Sequence, residues 1–272
     1  MSMLRSRNPA MGVFEQARDE RLSHDDIAAR GKVMTLSGTV TATAILLSIV
    51  ATVAMLVYAP LARAIGAAAE GQAPALPAWM WPAMIGSLIG GLALSLVIYF
   101  KPKTAPFVAP VHAVLEGVFV GVVSVIIPMQ FLGTASVSLV IQAMLATLAI
   151  TAGMLLGYAT GVLRVGAFMR KVIITATMGL VIYTLALMLL RLVGVNMWSG
   201  YADTGIMGIG FTGFCVVLAS LFLLLDFQFI EAGVEARAPK YMEWVGAWGL
   251  MVTLVWLYIE VLRLLAKLQS RD

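Results

Sequence analysis

Long apolar stretches separated by short polar segments make up most of the chain. Their predicted bounds are 33–62, 76–100, 107–128, 137–163, 172–195, 205–230 and 245–267. A helix needs roughly 20 apolar residues to cross a hydrocarbon core of ~30 Å. The stretches show neither the alternation of barrel strands nor a one-sided helical period, so their length decides the assignment. The pattern predicts an all-α polytopic membrane protein with seven transmembrane helices.

The polar segments predict how the chain is divided and oriented. Residues 1–35 are expected to form a polar cytoplasmic tail, residues 36–268 the membrane domain and residues 269–272 a short C-terminal tail. The first residues lack the apolar core and cleavage site of a signal peptide. With the N-terminus inside, the inner segments hold 13 Lys and Arg and the outer segments hold 5 of the 18. The positive-inside rule therefore predicts a cytoplasmic N-terminus, although the basic segment 263–271 counts against an outer C-terminus.

Composition excludes several classes of function. Hydrophobic residues make up 61% of the chain and charged residues 12%, whereas soluble domains carry roughly 25% charged residues. The net charge of +4 resides in short loops, which favours orientation signals over nucleic-acid binding. The single cysteine, Cys215, excludes an intramolecular disulfide. No nucleophile elbow or HExxH zinc motif is present, so we expect no enzyme activity.

The expected partners are the lipid bilayer and other membrane proteins. Small residues recur at helix-packing spacing in Gly153, Gly157 and Gly161 and again in Gly117 and Gly121. Such spacing favours close packing inside the bundle and, as the alternative, contact between two copies. We therefore expect a monomer or a weakly associated homo-oligomer.

Four ionisable residues fall inside the predicted spans: His112, Glu116, Asp226 and Glu260. A charge at membrane depth costs at least ~2.5–3.5 kcal/mol, so it usually has a partner or a function. His112 and Glu116 share a helix face and form either a structural pair or part of an ion or proton path. Glu260 either pairs with Arg263 or faces another carboxyl group. Glu116 and Asp226 are expected at similar depth.

Short motifs around these residues resemble a known family. The segments 223–230 (Leu-Leu-Leu-Asp-Phe-Gln-Phe-Ile), 257–261 (Leu-Tyr-Ile-Glu-Val) and 115–117 (Leu-Glu-Gly) resemble motifs of the Bax inhibitor-1, or transmembrane Bax inhibitor motif, family. The segment 238–244 (Ala-Pro-Lys-Tyr-Met-Glu-Trp) is similar to a bacterial branch of that family. The resemblance implies a seven-helix fold with the last helix at the centre and a location in the bacterial inner membrane.

The resemblance also implies a function, a pH-sensitive calcium leak. The resemblance implies that Asp226 and Glu260 share protons and gate the pore and that Lys101 latches the closed state. It also implies Ca²⁺ as the permeant ion, which the two carboxyl groups are candidates to bind. No further cofactor is expected. A non-conducting regulator that binds a membrane quality-control protease or another membrane protein is the alternative. A transporter of a small solute is the third hypothesis, but the sequence shows no sign of a roomy polar cavity.

The spacing of the two carboxyl residues conflicts with a direct contact. Asp226 and Glu260 are 34 residues apart, and in a straight hairpin turning at Pro239 they would miss each other by ~12 Å. Contact requires that residues 237–249 lie outside the hairpin, with a break at Gly246 and Gly249. Without such a break, Glu116 is the better partner for Asp226.

Overall fold

The computed structural model describes residues 33–67, 76–195 and 197–271. These ranges contain a bundle of seven long helices: α1 Leu36–Gly66, α2 Met80–Phe100, α3 Ala105–Leu132, α4 Val137–Ala159, α5 Ala167–Leu192, α6 Ile206–Glu235 and α7 Met242–Gln269. A 3₁₀ turn, Pro102–Thr104, joins α2 to α3. Each helix is long and apolar enough to cross a membrane, which confirms the predicted fold class. The predicted tail 1–35 lies almost entirely outside the described residues.

Local signals set the helix ends. The Thr35 hydroxyl accepts the N–H of Gly38 at 3.0 Å and caps α1, and Ser136 caps α4 in the same way. Such caps satisfy backbone donors that have no partner inside the helix. α3 ends at Gly133, whose φ of 74° is a left-handed conformation that glycine adopts without strain.

Several predicted boundaries were wrong, and proline explains two of them. α1 runs past Pro60 to Gly66, and α3 runs past Pro128 to Leu132. Membrane-embedded helices tolerate proline because neighbouring groups satisfy the backbone that it leaves unpaired. α4 stops at Ala159, four residues before the predicted end.

The seven helices run alternately up and down and define two ends of the bundle. We call the end where α1, α3, α5 and α7 begin the proximal end, and the opposite end the distal end. α7 packs against α1, α3, α4 and α6, while α5 contacts chiefly α6. α7 is thus the central helix, as the family resemblance implied.

Glycines allow α1 and α3 to approach closely. A Cβ on Gly117 would lie 2.7 Å from the Cβ of Val53, and one on Gly121 would lie 2.7 Å from the carbonyl oxygen of Ala54. The expected internal packing of glycines is therefore found on α3. It is not found at Gly153 of α4, where an added Cβ would meet nothing within 4 Å.

Candidate functional site

Polar side chains from neighbouring helices meet α7 at one level. The His112 ring of α3 packs edge-on against Trp248 of α7, with ring centroids 6.0 Å apart. Asp226 of α6 faces Gly249 of α7, where an added Cβ would lie 3.9 Å from its Oδ1, and the side chain of Thr253 lies beside its carboxyl group. Trp248 and Gly249 are neighbours, so His112 and Asp226 flank the central helix at the same depth. We call this set the central polar layer: Ser95, His112, Glu116, Asp226 and Trp248.

His112 links Ser95 to Glu116. Its Nε2 lies 2.9 Å from the Ser95 Oγ, and its Nδ1 lies 3.9 Å from the Glu116 Oε2. Ser95 donates its hydroxyl proton to the carbonyl oxygen of Gly91 at 2.8 Å, so its oxygen is free to accept from Nε2–H. This arrangement favours the tautomer with the ring proton on Nε2, in which Nδ1 is an acceptor that faces Glu116. His112 and Glu116 thus lie side by side, as their spacing predicted.

The central polar layer contains most of the unsatisfied polar atoms of the described chain. In the described residues, five buried side-chain nitrogen or oxygen atoms have no hydrogen-bond partner. Three of them belong to this layer: His112 Nδ1, Asp226 Oδ2 and Trp248 Nε1. The Asp226 residue is partly exposed, but its Oδ2 atom is buried. Leaving a buried polar atom unpaired costs about 1–3 kcal/mol. The layer is therefore poorly satisfied in this packing arrangement.

Glu260 has a different partner from the one that the resemblance implied. Its Oε2 accepts a hydrogen bond from Arg263 Nη1 at 2.7 Å, and the Arg263 guanidinium lies 4.6 Å from the centroid of the Tyr201 ring. At ~1.5 Å per residue, Glu260 lies about 10 Å beyond Thr253 along α7. The structure does not bring Asp226 and Glu260 together.

The reason is an unbroken hairpin. α7 is helical from Met242 to Gln269 without interruption at Gly246 or Gly249. Gly246 instead provides room for close packing, because an added Cβ would lie 3.1 Å from a side-chain carbon of Ile230. Lys101, the predicted latch, also lies apart from Asp226. It is exposed at the proximal end, while Asp226 lies about 14 Å deeper along α6.

The described residues form no calcium-binding site around these carboxyl groups. Within residues 33–67, 76–195 and 197–271, no group of three or more His, Cys, Asp or Glu side chains is placed to hold a metal ion. Ca²⁺ takes 6–8 oxygen ligands, so Asp226 and Glu260, which lie apart, do not form a tight site for it.

Two ionisable residues that the sequence analysis did not single out connect α7 to its neighbours. Glu243, 4% exposed in the first turn of α7, accepts hydrogen bonds at Oε1 from the N–H of Thr35 at 3.0 Å and from its hydroxyl at 2.8 Å. Lys267, near the distal end, is fully buried. An acidic residue near a helix N-terminus is a visible signal for Glu243, whereas a lysine near the end of a span is expected at the interface.

Among the described residues, seven apolar helices, of which the central one carries buried polar residues, define a polytopic membrane protein. A family model described as "Bax inhibitor 1 like" matches residues 8–270, and the chain belongs to that family. The match confirms the resemblance over nearly the whole chain, while the bacterial branch stays a prediction. No curated protein and no solved structure matches the chain significantly.

Proposed function

We propose that the protein is a proton-gated cation leak, with Ca²⁺ as the permeant ion and Asp226 as the proton sensor. The observation that supports this proposal is the Asp226 carboxyl group, which lies against the central helix with its Oδ2 buried and unpaired. Placing a charge in a membrane-embedded bundle without a partner is costly. Ionisation of Asp226 therefore favours an arrangement that admits water or a cation, and protonation favours the closed packing.

In place of the expected pair of Asp226 and Glu260, the proposed ion path has Asp226 on the α6 side of α7 and the pair His112 and Glu116 on the α3 side. Arg263 already compensates the charge of Glu260. His112 and Glu116 lie on the α3 side at the level of Trp248. A cation that moves along α7 at this level would meet carboxyl oxygens on both sides, and such hard oxygen ligands suit Ca²⁺.

Calcium flux through the purified protein in liposomes tests the proposal, measured between about pH 5 and pH 9 to cover the range in which buried carboxyl groups titrate. We expect flux through the wild-type protein to rise with pH. Asp226→Asn, which cannot ionise, should give low flux at every pH. Glu116→Gln should change the amplitude or the profile. Glu235→Gln, an exposed carboxylate on the same helix as Asp226, is the matched control and should behave as wild type.

Two results would contradict the assignment of Asp226. A wild-type pH profile in Asp226→Asn would remove it as the sensor. High, pH-independent flux in that variant would show that ionisation closes the path instead of opening it.

A non-conducting regulator is the second candidate, and one observation favours it. Gly153 lies on an open face of α4, where small residues allow another membrane helix to approach closely. The partner would be a membrane quality-control protease or another membrane protein. Absence of flux at every pH in wild-type liposomes, together with photocrosslinking from position 153 to a second protein, would support this function.

We also propose a bacterial inner-membrane location with the proximal end in the cytoplasm. The proximal ends and loops of the described chain carry seven basic residues: Lys101, Lys103, Arg164, Arg170, Lys171, Arg237 and Lys240. Arg263 and Lys267 are partnered inside the bundle, so they no longer count against an outer C-terminus. The positive-inside rule then favours this orientation more strongly than the bare count did.

A further inference from the structure

Lys267 is the most unusual charged residue of the described chain, because its side chain is fully buried near the distal end of α7. Its Nζ donates to the carbonyl oxygen of Gly200 at 2.5 Å, to that of Gly208 at 3.1 Å and to the Thr212 Oγ1 at 2.8 Å. An ammonium group has three protons to donate, and each has an acceptor here. The three oxygens form what we call the distal cage.

The cage is shaped around a cation. The Thr212 hydroxyl donates to the Gly208 carbonyl oxygen at 2.9 Å, so its lone pairs point away from that bond and are free for Lys267. The Lys267 ammonium also lies over the Phe131 ring, whose centroid is 5.7 Å from Nζ, and an aromatic face attracts cations.

Two of the three oxygens are carbonyl oxygens of glycines, and any larger residue at either position would force neighbouring atoms to move. A Cβ on Gly200 would lie 2.5 Å from the ring of Phe211, and one on Gly208 would overlap the backbone of Asp203. The loop between α5 and α6 therefore folds tightly against α6 and fixes both carbonyl oxygens. This preorganisation resembles that of ion sites in which backbone carbonyls replace a hydration shell.

The charge around the cage favours a monovalent cation. Among the described residues, no carboxylate lies within ion-pair distance of Lys267. Arg263 repels it, and Asp203 and Glu260 attract it, all from beyond ion-pair distance. The N–H of Gly205 donates to Asp203 Oδ1 at 3.0 Å and lowers the pKa of that carboxyl group, so Asp203 stays ionised in the α5–α6 loop. Ca²⁺ sites include carboxylate ligands, whereas the three oxygens that accept from Lys267 are all neutral.

We propose that the distal cage is a binding site for a desolvated monovalent cation, and that the Lys267 ammonium occupies it as a tethered plug. The plug holds the α5–α6 loop to the end of α7 and closes the distal end of the bundle. This site is separate from the central polar layer, and its test does not depend on calcium flux.

The first experiment vacates the cage with Lys267→Met, which keeps a long side chain without the charge. Thermal unfolding in detergent is compared in K⁺ and in N-methylglucamine at equal ionic strength. We expect K⁺ to raise the Tm of Lys267→Met by about 3 °C or more and to leave wild type unchanged, since a ligand stabilises only a protein with a free site. Adding Thr212→Val should abolish the shift. No K⁺ shift in folded Lys267→Met, or an equal shift in wild type, would overturn the proposal.

The second experiment keeps Lys267 and uses Cys215, the one cysteine of the chain, as a reporter. Cys215 is buried and lies one helical turn from Thr212 on α6. Thr212→Val removes one acceptor and should release the plug more often, so a small thiosulfonate reagent should modify Cys215 about tenfold faster. Thr151→Val removes a hydroxyl on α4 that bonds only its own helix in the described contacts and should leave the rate unchanged. Equal rates in wild type and Thr212→Val would refute the plug even if Lys267→Met does not fold.

Discussion

Removal of the Glu243 carboxylate should loosen the contact between α1 and the central helix. The carboxylate accepts two hydrogen bonds from Thr35. Next to it, the N–H of Met34 donates to the carbonyl oxygen of Ala238 at 2.7 Å. These contacts are where the chain leading into α1 joins the proximal end of α7. Glu243→Ala deletes both hydrogen bonds and leaves a backbone N–H at a partly buried position without its acceptor.

The size of the effect follows from those two bonds. Hydrogen bonds to charged groups contribute about 1.5–3 kcal/mol each, and paired losses are smaller than their sum. We expect a loss of about 3 kcal/mol, which for a chain of this size lowers the Tm by about 6–12 °C. Glu235→Ala, an exposed carboxylate at the same end of the bundle, should change the Tm little.

A second substitution makes the test specific. A Cβ on Gly38 would overlap the Glu243 carboxylate, so Gly38→Ala should destabilise the wild-type protein. In the Glu243→Ala background the same change should be neutral or stabilising, because alanine is favoured over glycine in a helix by about 0.5–1 kcal/mol. Thermal unfolding in detergent measures all four proteins. Additive losses in the double variant would refute the direct contact on which this reasoning depends.

Two further predictions concern Glu260 and the orientation. Glu260→Gln should lower the Tm, because Arg263 loses its charged partner, but it should leave the pH profile of calcium flux unchanged. A flattened profile would restore the expected pairing with Asp226. In a Cys215→Ser background, Lys240→Cys should react with an impermeant thiol reagent only from the cytoplasmic side, since the proximal loops carry most of the basic residues. Reaction from outside would reverse the orientation.

The number of helices was predictable because bilayer thickness sets a length that an apolar stretch either reaches or does not. The depth of the charged residues was predictable to within about one helical turn, because Asp226 lies level with His112 and Glu116, the residue expected at its depth, lies one turn further along α3. The ends of α1 and α3 were not predictable. Both helices run past a proline, Pro60 and Pro128, and a single sequence does not show which neighbours satisfy the backbone there.

The partners of the charged residues depend on how helices rotate and slide against one another, which weakly periodic apolar sequences leave open. Glu260 illustrates this limit, because both Arg263 and Asp226 were candidate partners and only the unbroken course of α7 decides between them. Lys267 was missed for a related reason. A lysine near the end of a span normally reaches the interface, and its burial requires the loop at Gly200 and Gly208 to fold over it.

The distribution of satisfied and unsatisfied polar groups along α7 indicates where the bundle can rearrange. At the proximal end Glu243 is hydrogen-bonded to Thr35, and at the distal end Lys267 has three acceptors. Between them, Asp226 Oδ2 and Trp248 Nε1 are buried without partners. A rearrangement that hydrated this middle segment would gain the free energy of satisfying these atoms, whereas movement at either end would break hydrogen bonds first. For the proposed cation leak, we therefore expect α7 to separate from α6 and α3 at the central polar layer while both ends stay fixed.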